Sequence, residues 1–90
     1  MKDDYDFTMI RRLRLRVGQT IQGREYWRNG QWSDARLTLV WRGTQVLVWQ
    51  VWTRTSIDPA WLDRGEEARW TLRCRRWRKV PALARCRVRV

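Results

Sequence analysis

Residues 35–55 read ARLTLVWRGTQVLVWQVWTRT, two apolar, β-branched and aromatic runs joined by Gly43-Thr44. Two such runs separated by a two-residue loop containing glycine predict a β-hairpin. A loop of that length pairs Leu39 with Val48. Both faces of residues 46–52 are apolar, which predicts that the second run is the central strand of a sheet.

Shorter segments on both sides of this hairpin also have the composition of strands. We predict strands at residues 8–17, 20–28, 68–79 and 84–90, in addition to 35–42 and 45–55. Asn29-Gly30 is the strongest two-residue hairpin signal in the chain, and it places Trp27 opposite Trp32. Gly23 is a candidate bulge within the second strand.

The only helical signal lies between the predicted strands 45–55 and 68–79. Asp58-Pro59 combines an acidic N-cap with a proline at the first helical position and predicts one short helical turn. Ninety residues are expected to form a single domain, 1–90. The fold class is therefore predicted as all-β: a small antiparallel barrel or sandwich of five to seven strands, of the size of OB-like and SH3-like barrels.

The charge of the chain is strongly positive, at +11, and only Lys2 and Lys79 are lysines. A GC-rich genome would produce this arginine bias without any function. A phosphate-binding surface would also favour it, because guanidinium pairs bidentately with anions. Residues 68–90 contain no acidic side chain, so the C-terminal third is expected to attract anionic partners.

Arginine alternates with apolar residues at both ends of the chain, in 12–17 and in 85–90. On a strand, this period places the arginines on one face and the apolar residues on the other. Rows of like charge on a sheet are unfavourable unless an anion covers them. We therefore predict a nucleic-acid-binding surface made by Arg12, Arg14, Arg16, Arg73, Arg75, Trp77, Arg85, Arg87 and Arg89.

The eight tryptophans allow two interpretations. Exposed aromatic rings beside basic groups stack on the bases of single strands, whereas buried rings fill the core of a small domain. Trp77 lies on the basic face if its strand is regular and in the core if a bulge precedes it. Trp27 and Trp32 are open to either interpretation, and the core is favoured for Trp41, Trp49, Trp52, Trp61 and Trp70. Arginines that lie flat over tryptophan rings would make part of the charge structural.

Several chemistries are disfavoured by what the chain lacks. It contains no histidine, and it shows no phosphate loop and no nucleophile elbow, so we expect no enzyme activity, no metal site and no cofactor. The acidic stretch at 58–67 is interpreted as a solvated turn rather than a magnesium site. Cys74 and Cys86 are interpreted first as buried thiols, then as a cross-strand disulfide, and last as a reactive or metal-binding pair.

These observations favour a non-enzymatic nucleic-acid-binding module with weak sequence preference. The alternative is a protein–protein interaction module that binds an acidic protein surface, such as an inhibitor or a structural subunit of viral or phage type. Strand addition at 84–90 would then link it to a partner or to a second copy in a homo-oligomer. No secretory signal is visible and no uncharged run is long enough to span a bilayer, so we expect a soluble cytoplasmic protein without membrane contact.

Overall fold

The computed structural model describes residues 12–44, 46–69, 72, 74 and 76–81. Five strands in this part of the chain form one sheet: β1 (Thr20–Tyr26), β2 (Trp32–Arg42), β3 (Leu47–Thr55), β4 (Leu62–Arg69) and β5 (Arg78–Val80). Every pairing is antiparallel, and the order across the sheet is β4-β3-β2-β1-β5. The all-β prediction is confirmed, but the described sheet is open and is not closed into a barrel.

The two faces of the sheet differ in chemistry. Ile21, Leu37 and Val51 lie side by side on β1, β2 and β3 and are fully buried; we call their side the apolar face. Because successive side chains of a strand alternate, Arg24, Asp34 and neighbouring polar groups occupy the opposite side, the polar face. The other buried members of the apolar core are Leu15, Leu39, Leu47, Trp49, Leu72, Cys74 and Trp77.

The N-terminal alternation at 12–17 does not form a strand, and residues 8–11 of the strand predicted at 8–17 lie outside the described residues. None of residues 12–17 is in a strand, and Arg14 has a left-handed φ of 54°, which breaks an extended backbone. Leu15 is buried against the apolar face, while Val17, predicted to share its environment, is 59% exposed. Leu13 and Leu15 pack against the core. The alternation of arginine and apolar residues therefore reflects how this segment covers the apolar face, and not a strand.

The Asn-Gly hairpin forms, but its loop is longer than predicted. Trp27 N donates to Gln31 O (2.7 Å) and Gly30 N donates to Trp27 O (3.0 Å), which encloses the three residues 28–30. Gly30 alone of these three has a positive φ, of 83°, as in a type I turn followed by a glycine bulge. The predicted pairing of Trp27 with Trp32 is therefore wrong: Tyr26 lies opposite Trp32.

The β2–β3 hairpin forms with a shifted register. Leu39 pairs with Trp49 rather than with Val48, and the pairing shifts between Leu39 and Trp41. The extra residue is Val40, and such a bulge changes which side chains share a face. β3 is an interior strand, as its two apolar faces indicated, but β2 occupies the centre of the sheet.

The helical turn predicted after Asp58 is absent, and the described residues 56–60 form bends. Thr55 N donates to Asp58 O (3.1 Å), and Asp58 N donates back to Thr55 Oγ1 (3.1 Å). This reciprocal pair makes a tight turn between β3 and β4, so Asp58 does not cap a helix. The turn leads directly to Trp61, which is buried.

The strand predicted at 68–79 is divided in two. β4 ends at Arg69, residues 72, 74, 76 and 77 lie outside strands, and β5 begins at Arg78 and pairs with β1. Apolar side chains at 72, 74 and 77 are needed to cover the apolar face, and a continuous strand could not place them there. The predicted partner strand at 84–90 lies outside the described residues.

Gly23 allows the covering segment to approach β1 closely. Its pairing with Ala35 is regular, so the predicted bulge is wrong. A Cβ at this position would lie 2.5 Å from Cys74 Sγ, 2.9 Å from Cys74 Cβ and 2.9 Å from Trp77 Cδ2. These separations are too short for carbon or sulfur in van der Waals contact, so only glycine fits here without a shift of the segment.

We therefore expect Gly23→Ala to lower the free energy of unfolding by about 1–3 kcal/mol, the usual cost of overpacking. Without the contact, alanine would stabilise the strand relative to glycine by roughly 0.5–1 kcal/mol. Urea unfolding followed by tryptophan fluorescence measures the change. The matched control is Gly23→Ala made in the Cys74→Ala variant. The sulfur is absent from that protein, so Gly23→Ala should cost less unfolding free energy there. An equal cost in both backgrounds would show that the contact with sulfur is unimportant.

Candidate functional site

A row of charged side chains crosses the polar face. The register places Arg24 of β1, Asp34 of β2 and Arg54 of β3 directly beside one another. Arg24 Nε and Nη2 donate to the two Asp34 carboxylate oxygens (2.7 and 3.1 Å), and Arg54 Nε donates to Asp34 Oδ2 (2.7 Å). One carboxylate thus fixes the position of two guanidinium groups.

The environment of Asp34 keeps it ionised. Its side chain has no exposed surface, whereas the side chains of Arg24 and Arg54 are 33% and 27% exposed. Burial alone would raise the pKa of Asp34, but the hydrogen bonds from Arg24 and Arg54 outweigh it and lower that pKa below its ordinary value. The hydrogen bond to Asp34, and to a lesser extent one with Tyr26, raises the pKa of Arg24 above its ordinary value. The cluster therefore carries a net positive charge.

Two tryptophan rings hold the arginines from the sides. The Arg24 guanidinium lies 3.8 Å from the centre of the Trp32 ring, and the Arg54 guanidinium lies 4.4 Å from that of Trp61. Trp61 also packs against Arg36, at 5.0 Å. Cation–π contacts of this kind contribute about 0.5–2 kcal/mol each, so part of the arginine content is structural, one of the interpretations drawn from the sequence.

The second row of the polar face is held by hydrogen bonds. Gln22 lies opposite Arg36 on one side and Arg78 on the other. Gln22 Oε1 accepts from Arg36 Nε (3.1 Å) and Nη2 (2.8 Å). This amide orients Arg36 towards the interior of the row, while Arg78 at the outer strand stays exposed.

A cleft of about 350 Å³ opens on the polar face beside these rows. Its charged lining consists of Arg24, Arg54, Arg76 and Arg78, and Tyr26 and Gln22 complete the polar wall. Tyr26 is 55% exposed, and the Arg76 guanidinium lies 5.1 Å from the centre of its ring. Among the described residues, Arg76 and Arg78 have no acidic partner, in contrast to Arg24 and Arg54. The cleft therefore presents cations whose charge is not neutralised.

Cys74 lies on the other side of Gly23 from this cleft and belongs to the core. Burial raises the pKa of its thiol, and Cys74 Sγ donates to Arg24 O at 3.1 Å. It is a buried free thiol, in agreement with the first interpretation of this cysteine. Its predicted partner, Cys86, lies outside the described residues.

The structure separates the predicted site residues that it describes. Arg12, Arg14 and Arg16 are exposed, but they lie on the segment that covers the apolar face, not on the polar face. Trp77 is only 8% exposed and packs in the core, so the prediction that it stacks on a base is wrong. The other predicted positions, Arg73, Arg75, Arg85, Arg87 and Arg89, lie outside the described residues.

The remaining tryptophans divide between surface and core. Trp27 is 58% exposed at the hairpin tip, while Trp32 is half-buried under Arg24. Trp49 and Trp61 are buried as predicted, whereas Trp41 is 53% exposed because the bulge at Val40 turns it outwards. Trp52 is half-buried on the polar face, and Trp70 lies outside the described residues.

The residues that build the cleft were missed by the sequence prediction. Three strands contribute one arginine each to the polar face, in Gln22-Gly23-Arg24-Glu25-Tyr26, in Trp32-Ser33-Asp34-Ala35-Arg36 and in Trp52-Thr53-Arg54. In all three segments every second position, starting from the first, carries a polar or aromatic residue, and this period of two was a usable signal. Asp34 is also the only acid between positions 26 and 57, so its burial between arginines could have been anticipated.

Other kinds of site find no support in the part of the chain that the structure describes. It contains no group of three or more potential metal ligands, and no helix long and apolar enough to cross a bilayer. What the fold and the cleft define is a small all-β protein with an arginine-lined and aromatic-lined sheet face. Comparison of the chain with protein-family models, with curated proteins and with solved structures found no match.

Proposed function

We propose that this protein is a non-enzymatic nucleic-acid-binding module and that the cleft on its polar face contacts phosphate groups. The observation that carries the proposal is the convergence of four arginines, Arg24, Arg54, Arg76 and Arg78, on one concave site. Guanidinium groups donate paired hydrogen bonds that match phosphate oxygens. A single buried carboxylate in the cluster leaves this site strongly positive.

The four arginines have different roles in this proposal. Arg24 and Arg54 are held by Asp34 and by tryptophan rings, so little side-chain entropy is lost when their remaining N–H groups meet an anion. Arg76 and Arg78 are exposed and supply the positive charge that attracts the nucleic acid from solution. Contacts to phosphate position a nucleic acid without reading its sequence, so the sequence preference is expected to be weak.

The salt dependence of binding tests this proposal. If the four cleft arginines neutralise about four phosphates, the logarithm of the association constant falls with the logarithm of salt concentration at a slope of about −3 for a single strand and about −4 for a duplex. Fluorescence anisotropy of labelled DNA and RNA, titrated with the whole chain at a series of salt concentrations, measures that slope. Absence of affinity for any DNA or RNA at low salt would refute the proposal.

Two double variants with the same change in charge locate the binding surface. Arg76→Ala with Arg78→Ala removes the exposed cations of the cleft and should reduce the magnitude of the salt slope by about 2. Arg12→Ala with Arg14→Ala removes the same charge from the segment over the apolar face and should leave the slope nearly unchanged. A larger change in slope for the Arg12/Arg14 variant than for the Arg76/Arg78 variant would place the nucleic-acid interface on the N-terminal arginines. If polyglutamate displaces the labelled nucleic acid as effectively, per charge, as unlabelled nucleic acid does, the result would favour an acidic protein partner instead.

A further inference from the structure

The cleft also contains an aromatic ring, and this points to the form of nucleic acid it takes. We infer that it receives an unpaired nucleotide, so that the partner is a single strand rather than a duplex; the inference rests on the proposed function. Tyr26 forms part of the cleft wall together with Arg76 and Arg78. Phosphate contact alone would require only the arginines, whereas an exposed ring among them offers a surface for a base.

The exposure of the ring supports this assignment. Tyr26 is 55% exposed although Trp32, opposite it on β2, is half-buried under the Arg24 guanidinium. The Arg24 and Arg76 guanidinium groups lie 5.9 and 5.1 Å from the centre of the Tyr26 ring. Both guanidinium groups lie over the ring, so a base would stack on the part of the ring that they leave exposed, with these cations next to its flanking phosphates.

The size of the cleft favours a single strand over a duplex for the same contacts. Its volume of about 350 Å³ is at the lower end of the range for small-molecule sites, roughly 300–1,000 Å³. That space suits a nucleotide or a short piece of one strand. In a duplex the faces of the bases are covered by their neighbours, and only the backbone and the groove edges are offered to a protein. A ring set inside a concave site could then contact no base face.

Competition experiments on the whole chain test the inference. The probe is a fluorescein-labelled oligothymidylate of about 16 nucleotides, near the upper limit for one binding domain. The competitors are the same strand unlabelled, a duplex of equal strand length, and an abasic strand with the same number of phosphates. We expect the single strand to compete best, and the abasic strand to bind about 5- to 150-fold more weakly, the contribution of stacking one base.

Substitution at Tyr26 gives an independent measurement. Tyr26→Ala should weaken binding of the oligothymidylate within the same range but leave the abasic strand unaffected, while Tyr26→Phe keeps the ring and should bind like the wild type. Circular dichroism checks that each variant is folded. Equal competition by the duplex and the abasic strand, with a normal salt slope, would overturn the single-strand inference and leave the proposed function intact. Failure of every nucleic acid to bind at low salt would instead reject both.

Discussion

Asp34→Asn should lower the free energy of unfolding by about 2–4 kcal/mol. The substitution keeps the size of the side chain but removes the charge that holds Arg24 and Arg54. Loss of one partner from a buried ion pair costs roughly 3–5 kcal/mol. Arg24 and Arg54 are about one-third exposed and can recover part of their hydration, which lowers the expected cost. Urea unfolding followed by tryptophan fluorescence measures it.

Glu66→Gln is the matched control because it removes the same charge from an exposed position. We expect a change within about 0.5 kcal/mol for it. If the two variants lose the same stability, the position of Asp34 between two arginines contributes nothing beyond net charge. Such a result would also remove the reason for regarding the two arginines as fixed in place.

The pH dependence of the unfolding free energy offers a second test, made on the wild type and on Asp34→Asn. Because the pKa of folded Asp34 is lowered from about 3.8, the folded state binds its proton less readily than the unfolded state. The stabilisation by Asp34 is therefore complete at neutral pH and is lost as the pH falls below about 3.8. The difference in unfolding free energy between wild type and Asp34→Asn should shrink over that range. A constant difference would contradict the lowered pKa.

The sequence predicted the class of fold well and its register poorly. Alternating apolar residues identified β1, β2 and β3, because a half-buried strand must alternate. The bulge at Val40 and the register shift between Val51 and Trp52 have no strong local signature, and each changes which residues are neighbours. The same limit explains the error at 12–17, where alternation came from a covering segment held by Leu15 and not from a strand.

The candidate site was harder to predict than the fold for the same reason. The arginines at the chain ends were predicted as a site because their alternation is visible in the linear sequence. Arg24, Asp34 and Arg54 instead align across three strands, and that row exists only once the register is known. The exposure of Tyr26 and the burial of Trp77 depend on where residues 72, 74, 76 and 77 lie against the sheet, which no local pattern specifies.

Trp49→Ala should cost about 3–5 kcal/mol of unfolding free energy, the usual range for removing a buried tryptophan. The Trp49 side chain has no exposed surface and lies on the apolar face beside Leu39. A domain of this size has a total stability of roughly 5–13 kcal/mol, so the variant should lose a large share of it. Thermal and urea unfolding, followed by far-UV circular dichroism, avoid dependence on the fluorophore that is removed.

Trp41→Ala is the control that distinguishes burial from composition. Trp41 and Trp49 were both expected in the core, but the bulge leaves Trp41 half-exposed with its ring against Gly43. Its replacement should therefore cost less than about 1 kcal/mol. Trp49→Phe adds a second comparison: the Trp49 indole N–H has no hydrogen-bond partner within the described part of the chain, so phenylalanine removes an unsatisfied donor while keeping a ring. Equal losses for Trp41→Ala and Trp49→Ala would show that the bulge is wrongly placed, because only the bulge turns one of the two rings out of the core.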